Sequence, residues 1–177
     1  ILLSGGGNDL AGDAFGMLIN HARSAHAGLN EQVVTGVVDE RVFDAYVTML
    51  TGVTTVCRQR TGGPVPIIIH GYSHPVPDGR GVLGGWGPLP GPWLQPGFRD
   101  KGFNERDTCV AMAADLIDRF NAMLQRVAAL REFSHVRYVD VRDALSNAAD
   151  YRTWWANELH PTKRGFEAVA YRFAAAI

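Results

Sequence analysis

Three short apolar runs are separated by long segments whose apolar residues recur every three or four positions. The runs are ILLS at residues 1–4, VPIIIH at 65–70 and HVRYVDV at 135–141. The first two stop at glycine, and the third alternates and is rich in β-branched residues, so all three read as strands. Between them, Val38, Val42, Tyr46, Leu50, Val53 and Cys57 mark one apolar helix face over 38–58. Leu116, Ile117, Phe120, Leu124 and Val127 mark a second over 105–131, and Phe166, Val169, Ala170 and Phe173 a third over 163–176. Strands joined by long helices need crossover connections, so the sheet is expected to be parallel with both faces covered. The expected class is α/β, and 177 residues suit a single domain.

Composition excludes several functions. A net charge of −1 leaves no basic excess to neutralise phosphates, so no nucleic-acid partner is expected. No apolar run approaches the roughly 18 residues of a bilayer span, so a soluble chain is expected and its location is left open. Cys57 and Cys109 each fall in a helical pattern, which favours two buried thiols over a disulfide. Residues 71–103, with many glycines and prolines and with Trp86 and Trp93, follow no period. A stretch that long is expected to be an ordered active-site loop or lid.

Two stretches carry chemistry. GGGND, residues 5–9, follows the first strand, and parallel sheets bind ligands beyond the C-terminal ends of their strands. Glycines there allow a sharp turn and close approach, and Asn8 offers an amide donor suited to a developing oxyanion. The alternative is a plain strand-to-helix turn with Asn8 or Asp9 as its cap. The second stretch is WWANELHPTKRGF, residues 154–166. Here His160 is held by Pro161 at the start of the last helix, with Asn157 three residues before it. Such a histidine suits a positioned general base, although a structural or merely exposed role stays open.

Together the two stretches resemble the SGNH/GDSL hydrolases. Gly6-Gly7-Asn8-Asp9 matches that family's Gly-x-Asn-Asp block, and Asn157-Glu158-Leu159-His160-Pro161 resembles its Asp-x-x-His block. The resemblance implies a three-layer α/β/α sandwich with a mainly parallel, flavodoxin-like sheet. It also implies a serine esterase or lipase that uses no cofactor and no metal and takes a small-molecule ester. His160, Asn157 and Asn8 would be catalytic, with Gly6, Gly7 and Asp9 shaping the oxyanion turn. Tyr72, Trp86 and Trp154 are candidate pocket walls, as aromatics in such loops often are, with Trp93 and Trp155 as further candidates and simple packing of the lid as the alternative for each Trp.

Two departures follow. The family's nucleophilic Gly-Asp-Ser block precedes its Gly-x-Asn-Asp block, whereas Gly12-Asp13-Ala14 comes after Asn8 and has Ala for Ser. The resemblance therefore implies that residues 1–177 correspond to the domain from its third strand onward, with the first strands and the serine upstream. The usual triad acid is Asn157 here, and Glu158, Asp140 or a backbone carbonyl are candidates to compensate for the missing charge. Ser73 is an unfavourable nucleophile because no glycine follows it, and His70, His74 and His160 make a poor zinc set. The alternative function is an inactive binding module with an aromatic ligand cleft.

Overall fold

The computed structural model describes residues 1–84 and 89–176. Strands β1 (Leu2–Leu3), β4 (Ile67–His70) and β5 (Val136–Val139) form one parallel sheet in the order β1-β4-β5. Leu2 pairs with Ile68, and the β4–β5 register runs from Ile67 opposite Val136 to His70 opposite Val139. The class is thus mixed α/β with a small parallel sheet, in accord with the strand–helix alternation. A short antiparallel hairpin, β2 (Ile19–Asn20) and β3 (Gly28–Leu29), lies between β1 and the first helices.

The first helical stretch begins seven residues earlier than the periodicity predicts. Asn30 caps α1 (Glu31–Val34) by accepting the Val33 N–H at 3.3 Å. The chain then widens into a π segment over Thr35–Val42 before α2 (Phe43–Thr61). Gly62, at φ 79°, closes α2 by donating its N–H to the Arg58 carbonyl. The second long helix, α4, spans Arg106–Ala128, and Thr162 caps the last, α6 (Lys163–Ala174), through the Gly165 N–H.

β4 explains how the layers are built. Ile67 and Ile69 are buried with Leu50 of α2 and Phe120, Leu124 and Val127 of α4 in the main core. Side chains alternate along a strand, so Ile68 and His70 face the opposite side. There the His70 ring meets Phe173 of α6 edge-on at 4.9 Å. A second cluster of Val76, Leu145, Tyr151 and Trp155, at the short helix α5 (Tyr151–Trp154), sits beside α6.

The described residues of the segment 71–103 pack onto the core as a strap. Val76, Leu94 and Phe98 are buried, and a short helix, α3 (Gln95–Asp100), seats Phe98 against Phe15 at 4.9 Å. Cys109 is buried as expected, Cys57 is only half-buried, and both are free thiols. Among the described residues no helix is long and apolar enough to cross a membrane. On the outer side of β1 no further strand pairs among the described residues, and Ile1 and Leu2 are 49% and 56% exposed.

Candidate functional site

All three strands of the sheet point the same way, so their C-terminal ends open onto one region. A cavity of about 540 Å³ lies there. Asn8 and His160, 152 positions apart in the chain, both line it. Its remaining wall is mostly apolar: Leu10, Phe15, Leu94 and Leu116 from the main core, and Leu145, Trp155 and Val169 from the second.

The glycine turn is braced from outside. Gly6 adopts φ 84°, the left-handed region that glycine enters without strain. The Tyr72 hydroxyl donates to the Gly5 carbonyl at 3.0 Å and accepts the Gly7 N–H at 3.1 Å. The Tyr46 hydroxyl donates to the same carbonyl at 3.1 Å, and burial pushes its phenol up to about 12, which keeps the proton on the donor. Residues Gly7–Asp9 form one tight 3₁₀ turn with Gly6 ahead of it, and no side chain caps it. The cap role considered for Asn8 or Asp9 is therefore corrected. Asp9 pairs with Arg41 at 2.5 Å, and the Gly7 N–H is committed to Tyr72, so neither supplies a donor to the cavity. Asn8 is exposed at the cavity wall.

The histidine turn is stitched into place by its backbone. Trp155 and Pro161 form an antiparallel bridge, Ala156 N–H donates to the His160 carbonyl, and Thr162 N–H to the Trp154 carbonyl. The Asn157 Oδ1 accepts three donors: the Leu159 N–H at 3.0 Å, the His160 N–H at 2.9 Å and His160 Nδ1 at 2.9 Å. Two of these are backbone N–H groups, which fixes the amide oxygen, not the nitrogen, at this point. An amide oxygen only accepts, so Nδ1 carries the ring proton and Nε2 keeps its lone pair. That is the tautomer of a general base. The Trp93 ring stands edge-on to the imidazole at 5.1 Å.

Neither carboxylate considered as a substitute acid serves His160. Glu158 is fully buried and accepts four backbone N–H groups, from Gly79, Trp93, Leu94 and Gln95. Burial pushes its carboxyl up and those N–H groups pull it back, leaving a net rise. Asp140 is held by Arg142 at 2.6 Å, which keeps its carboxyl below the usual range. Among the described residues, the hydrogen bond that orients the imidazole comes from an amide and not from a carboxylate.

The aromatic candidates divide. Tyr72 lines the cavity and braces its floor, whereas Trp154 packs under Arg164 at 4.4 Å and donates to Asp150. Trp155, its neighbour, lines the cavity instead. Trp86 lies outside the described residues. Of the serines, Ser4 and Ser73 line the cavity, but the buried Ser73 hydroxyl donates to the Val141 carbonyl. His70 bonds Gly71 O and His74 bonds Asp118, each engaged apart from His160. The Glu158 anchor, the Trp93–His160 contact and the Tyr46 brace were not foreseen, because each acts through contacts distant in sequence. No known protein family, curated protein or solved structure matches this chain.

Proposed function

We propose that this chain carries the general base and the oxyanion donor of a serine ester hydrolase of the SGNH/GDSL kind, acting through an acyl-enzyme without a cofactor. The observation that carries the reading is the His160 Nδ1–Asn157 Oδ1 bond, which leaves Nε2 as the base in a cavity that Asn8 also lines. The serine comes from outside residues 1–177, on a strand added to the free edge of β1. A parallel strand there ends beside Gly5–Asn8, and the exposed Ile1 and Leu2 give it an apolar partner. The completed domain is a three-layer α/β/α sandwich with a flavodoxin-like sheet.

In the reaction, the serine oxygen attacks the ester carbonyl while Nε2 takes its proton. The Asn8 amide donates to the oxyanion of the tetrahedral intermediate, which collapses as His160 returns the proton to the leaving alcohol. Water then repeats the sequence on the acyl-enzyme. The apolar walls suit the acyl group, and the exposed rim suits a variable alcohol.

The test compares the full translation product of the gene with the 177-residue chain on p-nitrophenyl esters, alongside fluorophosphonate labelling. The expected result is turnover and one labelled serine outside residues 1–177 in the full product, with little of either in the shorter chain. Labelling of Ser4 or Ser73, or equal turnover by both proteins, would overturn the external serine. A full product that binds esters without labelling or turnover makes this a binding module.

A further expected outcome concerns Asn157. An Asp at 157 keeps all three acceptor bonds and adds a charge facing the imidazolium, so Asn157→Asp should hold or raise kcat. Asn157→Ala removes the three bonds, and kcat should fall roughly ten- to a hundredfold, within the span of a general-base contribution. A fall in kcat for Asn157→Asp comparable to that for Asn157→Ala would count against the orienting role.

A further inference from the structure

We infer that Glu158 is a positioning residue for His160: its carboxylate gathers Gly79 and residues 93–95 of the strap and so seats the Trp93 ring against the imidazole. Its bearing on catalysis rests on the reading of His160 as a base.

The geometry begins with a side chain that has no ordinary reason to be charged. Glu158 is fully buried, and no cation pairs with it among the described residues. Burying a lone carboxylate is costly unless hydrogen bonds replace its water. Here four do. Oε1 accepts from Gly79 at 2.9 Å and Gln95 at 3.1 Å, and Oε2 from Trp93 at 2.7 Å and Leu94 at 2.8 Å. Two oxygens facing four donors is a task that only a carboxylate meets. An amide would turn its NH₂ group toward two of the N–H groups.

Consecutive residues therefore grip in different directions. Asn157 holds the imidazole, and Glu158 holds the strap, so the short turn that carries both couples the position of one to the other. Trp93 joins both ends of that linkage, since its N–H binds Oε2 and its ring lies 5.1 Å from the His160 ring. Arg80 adds a second stitch between the same parts. Its carbonyl accepts the Glu158 N–H at 3.2 Å, and its guanidinium donates to the Trp155 and Ala156 carbonyls at 3.2 and 3.1 Å. Beyond the main-chain donors, the nearest strap charges, Asp78 and Arg80, pair with each other.

The contact has a spectroscopic signature independent of turnover. The protein is labelled with 5-fluorotryptophan, and the Trp93 ¹⁹F resonance is assigned with Trp93→Phe. In the unmodified sequence that resonance should move as His160 takes up its proton, and His160→Gln should abolish the movement. Glu158→Gln, with the far-ultraviolet dichroism unchanged, should also abolish it, and should lower kcat of the full translation product by about tenfold, a modest misplacement. Glu158→Asp, which keeps the charge but is one methylene shorter, should retain part of the movement and provides the reading if the Gln variant does not fold.

A Trp93 resonance indifferent to His160 in the unmodified protein would overturn the proposal, as would an unaltered response in Glu158→Gln. Neither result touches the hydrolase reading. A full product without esterase activity whose Trp93 still follows His160 would sink the hydrolase reading and leave the Glu158 linkage standing.

Discussion

His160→Ala is expected to lower kcat/KM of the full translation product by about 10²–10⁴, the usual contribution of a positioned acid–base group. The fold should survive, because the side chain is exposed and its removal buries no unpaired group. The Asn157 oxygen keeps the Leu159 and His160 backbone N–H groups when the ring is gone, so the turn itself stays closed. Unlike Asn157→Ala, the substitution thus separates the chemistry from the scaffold. Acyl-enzyme formation and its hydrolysis both pass a proton through Nε2, so the rate constant of the burst and the steady-state rate should fall together. The assay is p-nitrophenyl ester hydrolysis, with thermal melting as the control for folding. Activity within a few fold of the unmodified protein would remove His160 from the mechanism.

The three strands and their parallel direction were legible because they rest on local signals. VPIIIH is apolar, short and ended by glycine, and a crossover helix on each side leaves little choice but a parallel sheet. The start of the first helical stretch was less legible. Glu31, Gln32, Thr35 and Gly36 dilute the apolar period, and the cap at Asn30 together with the wider π turns carries the helix through them. The β2–β3 hairpin has two residues per strand, too few for any alternation to register.

The site was legible where one strand end or one tight turn sets it. Asn8 and His160 line one cavity because a parallel sheet gathers its C-terminal ends, which follows from chain order alone. Whatever depends on the fold of a distant loop was not legible. Glu158 was considered as a partner for His160 because it is close in sequence, yet its carboxylate turns to Gly79 and to residues 93–95. Trp154 and Trp155 are adjacent and equally apolar, but the bridge to Pro161 turns only the second toward the cavity. Residue type alone could not choose between them.

Gly6→Ala should destabilise the protein by about 2–5 kcal/mol, the sum of two separable costs. A φ of 84° costs an L-residue roughly 1–2 kcal/mol. A Cβ at this position would also lie 2.8 Å from two ring atoms of Phe120. That ring is fully buried and stacks on Tyr72 at 5.6 Å, so it has little room to yield, and overpacking of this kind costs about 1–3 kcal/mol. Gly12→Ala isolates the first cost, since Gly12 has φ 85° and nothing within 4 Å of its would-be Cβ. Urea denaturation of the two variants should therefore give unequal losses, with Gly6→Ala the larger by at least about 1 kcal/mol. The displacement should also reach the chemistry. Phe120 backs Tyr72, and the Tyr72 hydroxyl fixes the Gly5 carbonyl and the Gly7 N–H on either side of residue 6. A shifted ring would move the turn that presents Asn8, so kcat should fall in the folded Gly6→Ala protein and not in Gly12→Ala. Equal stability losses and equal activities would mean that Phe120 gives way freely and that the turn is not braced through it.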